Sequence, residues 1–460
     1  MFSPQSGTTK SQRPRPEDII RFSVCLLMIV ASGVGVSGGD AVPVAVNRGR
    51  DVAEMNDVRQ PPSAVTYAIV GARLVDGNGG TPVESATIVT RGSTILAVGP
   101  SDEVDVPDDA IILNAAGMTV LPGLFDAHFH SRDSVEQPVQ YLLLNGVTSF
   151  RDPGHPFKYY DVLLRSDAVI PRVFLCGGHL DGPPAVWPDQ AMVIQSADEA
   201  IEAVNRHVER GASAIKVYFR LPLPFVKAAC DAAAQHHVPV TAHLELVDAD
   251  DAIDAGVRGI EHITSFGTAL SEDADAMHFK ELVTADSDAR REWRYRMWER
   301  LEIEDNPRVP RLIQHVISND VFVSPTLAVF ERQTGEKGGT EVQAAAFANM
   351  CRFFGECHKA GAKTVVGSHT HVPFAPRTRA YLREMELMVE CGMTPLEVIT
   401  SATKTGAEFF GVADRLGTVE VGKVADLLIV RGRPDRNIRD IDNVNRVMLN
   451  GAWVDISDRD

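Results

Sequence analysis

The chain has 460 residues, 44% hydrophobic and 23% charged, which excludes a disordered, collagenous or multi-span membrane protein. Its 45 basic and 62 acidic side chains leave a net charge of −17, and such a chain repels phosphate backbones, so sequence-independent nucleic-acid binding is excluded as a role. Six cysteines without a CxxC pair argue against both a zinc-ribbon framework and a disulfide scaffold, and predict buried free thiols.

In chain order, residues 1–39 read as a targeting segment. Lys10, Arg13, Arg15 and Arg21 precede the apolar run FSVCLLMIVASGVGVSG, the shape of a secretory signal. The alternative is an uncleaved membrane anchor, although the apolar run is short for a span of about 20 residues. Export, periplasmic or secreted, is the expected location, with membrane contact only through this segment. Residues 40–63 are polar, carry Pro61-Pro62 and read as a linker.

Residues 64–121 predict short strands, the first part of a β-sandwich. From 122 to 415 the texture alternates. Apolar strands at 124–128, 148–152, 172–177, 214–219, 239–244, 259–263, 321–327 and 364–369 are separated by helical patterns such as 197–210, 224–236, 342–360 and 378–391. Eight strands alternating with helices predict an α/β fold, a (β/α)8 TIM barrel. Strands return over 416–460, so the two terminal pieces are expected to form one discontinuous β-sandwich domain. An insertion at 265–320 breaks the rhythm. Within it, 271–305 carries 11 acidic and 6 basic side chains, and REWRYRMWER reads as an amphipathic helix. One reading is a lid over the pocket. Another is an oligomer contact in which Trp293 and Trp298 bury against a second copy.

The chemistry concentrates at strand ends. His128 and His130, two apart in DAHFH, point to the same side of a strand. Lys216 sits inside the apolar run AIKVYF, His243 ends VTAHLE, and His262 ends IEHIT. Imidazole nitrogens at one height suit zinc or another first-row divalent metal. A lysine whose pKa burial lowers can react with CO2, and the carbamate is an anionic bridging ligand. Tyr218, two after Lys216, also faces inward and is a candidate for substrate binding. His155, in RDPGHP, could reach the pocket rim, as could His179. Arg151 and Asp152 read as a structural pair. Arg377 and Arg379 are candidates for holding a substrate carboxylate.

These pieces together resemble the amidohydrolase superfamily, in its imidazolonepropionase-like and metal-dependent Xaa-Pro dipeptidase-like branch. VLPGLFDAHFH, TSFRDPG, IKVY, TAHLE, GIEHIT, FVSPTL and VGKVADLLIV carry the resemblance, which covers roughly 66–455. It implies a small-molecule substrate whose amide bond is attacked by a metal-activated hydroxide. It also implies His128 and His130 on one metal, His243 and His262 on a second, and carbamylated Lys216 between them. The family's eighth strand ends in Asp; here VVGSHTHVPF places His369 there. Either His369 takes over as ligand or as proton shuttle, or Glu245 or His371 supplies the base, or the chain is an exported binding protein or pseudo-enzyme with little turnover.

Overall fold

The alternating apolar runs after Val65 pair into a sheet. The computed structural model describes residues 64–131, 136–164 and 169–459. The targeting segment and linker lie outside the described residues. Strands β1 (Thr66–Leu74), β2 (Val83–Arg91), β3 (Thr94–Pro100), β4 (Ile111–Asn114) and β5 (Met118–Pro122) join three strands from the other end of the chain: β16 (Leu427–Arg431), β17 (Val444–Leu449) and β18 (Ala452–Trp453). All eight belong to one hydrogen-bonded sheet, ordered β18-β17-β16-β5-β1-β2-β3, with β4 also on β1. The seam is the antiparallel β5–β16 pair, in register from Pro122 opposite Leu427 to Met118 opposite Arg431. Ile69, Ile88, Val120, Leu427 and Ile429 are fully buried in this sheet's own core. Alternation along the strands places these residues on the buried side.

Between the two ends, every connection runs parallel. Strands β6 (Leu124–Asp126), β7 (Val147–Asp152) and β8 (Arg172–Leu175) form one sheet. A second sheet takes β10 (Ala191–Val193), β9 (His179–Asp181), β11 (Ile215–Val217), β12 (Val240–His243), β13 (Gly259–Glu261), β14 (Phe322–Ser324) and β15 (Lys363–Thr364), in that order. Each of the eight expected strands is present, and all but β7 are shorter than the apolar run that announces them. β9 and β10 are additional, built after the Gly177-Gly178 turn. Parallel strands need long crossovers, and helices supply them. Helix α1 (Ala197–Glu209) starts at Ser196, whose hydroxyl accepts from the Glu199 N–H at 3.2 Å, and carries Asp198 and Glu199 in its first turn. Both features suit the positive helix N-terminus. Helix α2 (Leu223–Gln235) packs beside it.

The insertion between β13 and β14 contains α3 (Asp273–Ala285), α4 (Arg290–Glu299) and α5 (Arg308–Ser318). Helix α4 packs on α6 (Glu341–Lys359). Trp298 is fully buried within the chain, with its ring 5.9 Å from that of Phe353. The Asn349 amide of α6 donates to the carbonyls of Trp298 (2.9 Å) and Leu301 (2.8 Å), capping the end of α4. Trp298 is therefore not available to a second copy, and the Trp-pair contact expected from sequence does not hold in that form.

Cys176, Cys230 and Cys357 are buried free thiols. Among the described residues, no helix is long and apolar enough to cross a membrane.

Candidate active site

The C-terminal ends of the parallel strands open into a cavity of about 1040 Å3, lined by seven histidines: His128, His130, His155, His179, His243, His262 and His369. Lys216 and Tyr218 also face it.

His128 and His130 follow β6. Their Nε2 atoms lie 3.1 Å apart. His128 is held from behind, its Nδ1 lying 2.6 Å from Glu261 Oε2. Its backbone N–H donates to Asp126 Oδ1 (3.1 Å), and its carbonyl accepts from the His369 N–H (2.7 Å). That last bond brings the eighth strand's end onto the first. Gly367 makes the approach feasible, since a Cβ there would sit 2.8 Å from the Cβ of His128.

His262 follows β13, and its Nδ1 lies 2.6 Å from Thr326 Oγ1. His128, His262 and His369 present ligand nitrogens within 4.8 Å of one another. His243, the last residue of β12, stands beside His262 with ring centroids 4.5 Å apart. Its Nε2 lies 3.2 Å from Glu245 Oε1. Lys216 projects inward from β11, buried, with its Nζ 3.8 Å from Glu261 Oε1 and without a hydrogen-bond partner.

The chain pays for this arrangement in backbone strain. His262 (φ 69°), Thr326 (φ 46°), His369 (φ 56°) and Thr370 (φ 63°) all have positive φ without being glycine. Each such residue costs on the order of 1–3 kcal/mol, and such residues gather at functional sites.

Burial sets the protonation states. It pushes the imidazoles of His128, His243 and His262 below their ordinary range, and those of His130 and His179 to about 4 and about 3. A neutral imidazole is the metal-binding form. Burial lowers Lys216 to about 8 and raises Asp126 to about 6. Burial would raise Glu261 as well, but Lys216 and His128 outweigh it and hold Glu261 well below the usual carboxylate range. The donor set therefore fits a divalent metal: several neutral imidazoles converge, their outer nitrogens are fixed by Glu261 and Thr326, and a buried amine has no hydrogen-bond partner.

A second group, His130, Asp152 and His155, also has ligand atoms within 4.8 Å. Asp152 already accepts from the backbone of Gly154 (3.1 Å) and Ser131 (3.4 Å), from His155 Nδ1 (2.8 Å) and from the Tyr160 hydroxyl. A carboxylate so saturated is an anchor for the loop rather than an open ligand. His155 is thus held at the cavity wall through Asp152.

The pairing of Arg151 with Asp152 does not occur. Adjacent strand residues point to opposite faces. Arg151 goes outward, stacks on Phe409 and Phe410 at 4.4 Å each and donates to the Phe409 carbonyl. Arg377 and Arg379 also miss the cavity; Arg379 pairs with Asp442 at 2.5 Å. His371 is not among the lining residues. Tyr218 lines the cavity, its hydroxyl accepting from Trp187 Nε1 at 3.2 Å.

Residues 119–454 match the Amidohydrolase family. The chain belongs to this family. It is similar to an enamidase of Eubacterium barkeri, 35% identical over 92 residues that cover 18% of this chain and 24% of the enamidase. The chain thus matches only about a quarter of that relative's length. Among solved structures, a Bifidobacterium longum protein described as a prolidase is 26% identical, with a TM-score of 0.65, over 85% of this chain and 95% of that one. A Xaa-Pro dipeptidase with methionine bound in its active site is 21% identical, with a TM-score of 0.64, over 85% of this chain and all of that one. This last likeness is one of fold.

Proposed function

We propose that the protein is a metal-dependent hydrolase of amide bonds in small molecules such as dipeptides or N-acyl amino acids. The observation that carries this reading is the convergence of neutral imidazoles and a buried lysine without a hydrogen-bond partner in one cavity. The scaffold we infer is a closed (β/α)8 barrel. Backbone bonds between the two parallel sheets support it: Ser213 N–H to the Leu175 carbonyl and Ala127 N–H to the Val366 carbonyl, both 2.8 Å.

In this reading His128, His130, His243 and His262 hold metal, zinc or a similar divalent ion, with Lys216, carbamylated or not, and His369 completing the donor set. A metal held there supplies water activation and carbonyl polarisation. Glu261 keeps the Nδ1 proton of His128, so that Nε2 faces the cavity. His369 stands where the family has Asp; where it does not serve as a ligand, its imidazole would accept the proton of the attacking water and return it to the leaving amine. The Tyr218 hydroxyl already accepts from Trp187, so its own proton is free to donate to the oxygen that gains charge.

The test is elemental analysis of protein purified without added metal or chelator, followed by an amide-substrate panel. Two metals per chain with turnover support the full donor set. One metal with turnover assigns His369 to proton transfer. No metal and no uptake of zinc sinks the reading in favour of a binding protein built on the same scaffold.

A further inference from the structure

The outer wall of the cavity carries charge for which the hydrolytic reading has no use. The chain as a whole is acidic, with 62 acidic against 45 basic side chains. Yet Arg290, Arg291, Arg294 and Arg332 all line this cavity, and the one carboxylate among the described lining residues is the exposed Asp189 at its rim. Arg290 and Arg294 come from α4 of the insertion. Four residues apart, they share a helix face, and each is more than nine-tenths buried.

Their hydrogen bonding differs. Arg294 is held by two polar contacts: its Nε donates to the Arg290 carbonyl at 2.9 Å, and its Nη2 pairs with buried Glu245 at 2.8 Å. Arg290 is engaged on one side only. Its Nη1 donates to the Ser287 carbonyl at 2.5 Å and lies 3.5 Å from the exposed Asp288. Its Nε is buried and has no hydrogen-bond partner. The guanidinium lies over the ring of Phe219, 5.0 Å from its centroid, which limits its freedom to turn. Two buried guanidiniums face one buried carboxylate, so one positive charge on this wall has no buried counter-charge. Such a charge is costly unless something anionic completes it. The positive field of both arginines reaches Tyr218 and His243 at the edge of the imidazole cluster.

We propose that Arg290 seats a carboxylate of the substrate, with Arg294, locked by Glu245, as the second positive group of the clamp. The insertion is then the specificity element of the site. This rests on the hydrolase reading and narrows it to amides that carry a free carboxylate on the far side of the scissile bond. Arg290 and Arg294 are positioning residues and take no proton in the reaction.

The experiment uses full-length, metal-loaded protein. N-acetyl-L-leucine, N-acetyl-L-phenylalanine and glycyl-L-leucine are each titrated calorimetrically beside their C-terminal amides, and release of amine is followed separately. The expected result is a preference for the free carboxylate of about 10- to 100-fold, the range of a hydrogen bond to a charged group. Arg290→Gln should erase that preference by weakening the carboxylate member alone, and Arg290→Lys should keep part of it. Equal affinities in the wild type, a preference that survives Arg290→Gln, or no binding of either member of any pair would overturn the clamp. Carboxylate-selective binding without turnover leaves the clamp standing and removes the hydrolase reading. Turnover without carboxylate preference does the reverse.

Discussion

Glu261→Gln isolates the contribution of one buried contact to metal affinity. The Glu261 carboxylate is fully buried, 2.6 Å from His128 Nδ1, and accepts from Thr241 Oγ1 at 2.7 Å. A glutamine can present its oxygen to His128 and turn its amide to the Thr241 hydroxyl, so the shape survives and the charge does not. A hydrogen bond to a charged group contributes about 1.5–3 kcal/mol and a neutral one about 0.5–1.5, so the exchange removes about 1–1.5 kcal/mol from the support of His128. That corresponds to roughly tenfold in metal affinity, at the lower end of the about 10- to 100-fold typical of changes to a group that hydrogen-bonds a metal-binding histidine. Glu261→Ala, which also strands Lys216 and Thr241, should fall at or beyond the upper end. The assay is competition between apo-protein and a chromophoric chelator for zinc, with His128→Ala as the reference for loss of a ligand. If Glu261→Gln binds zinc as tightly as the wild type while His128→Ala does not, the orientation of His128 is set by something other than this carboxylate.

Three further outcomes follow from the same geometry. Lys216→Met, compared with wild type in metal-free and CO2-free buffer, tests burial of the amine. Its folded pKa of about 8 lies below the ordinary 10.5, so the folded state binds fewer protons than the unfolded state between those values and wild-type stability rises with pH there. The stability of Lys216→Met relative to wild type should therefore fall by about 3 kcal/mol from pH 7 to pH 10.5 in urea unfolding, whatever constant offset stranding Glu261 adds. A flat difference would mean that Lys216 is solvated. His369→Asp should fold, since Asp tolerates the positive φ of this position, and should retain more turnover than His369→Ala, which should lose about 10²- to 10⁴-fold in kcat; equal rates for all three would remove His369 from proton transfer. Trp298→Ala empties a fully buried site between α4 and α6 and should cost about 3–5 kcal/mol in urea unfolding. A loss under 1 kcal/mol would show that α4 is not anchored there.

The strand order and the HxH pair were legible because buried parallel strands are written as short apolar runs, and because His128 and His130 obey the two-residue period of a strand. Glu261 was not legible. It precedes His262, and strict alternation would send neighbours to opposite faces. The positive φ at His262 turns the chain as it leaves β13, so both side chains reach the interior. Asp152 was misassigned for the converse reason: alternation does hold on β7, and it separates Asp152 from Arg151. Arg294 lies in the run REWRYRMWER, read only as an amphipathic helix, and Arg290 just precedes that run. The signal that could have found them is their spacing, since Arg290, Arg294 and Trp298 recur every four residues on the face that the structure buries. The strained backbone at Thr326 and Thr370 leaves no trace in hydropathy.

The seam between β5 and β16 has a consequence for how the molecule is made. The Thr119 hydroxyl donates to the Gly432 carbonyl across 313 positions of sequence. A ribosome adding about 5–20 residues each second completes β1–β5 well before it has synthesised the strand they pair with. Until then the β5 edge stays open, and Val120 lacks the cover of Leu427 and Ile429. The parallel strands in between have their partners at shorter range and can settle first. Nascent chains halted before residue 427 should therefore be the aggregation-prone species, and the last strands close the molecule after its site has already formed.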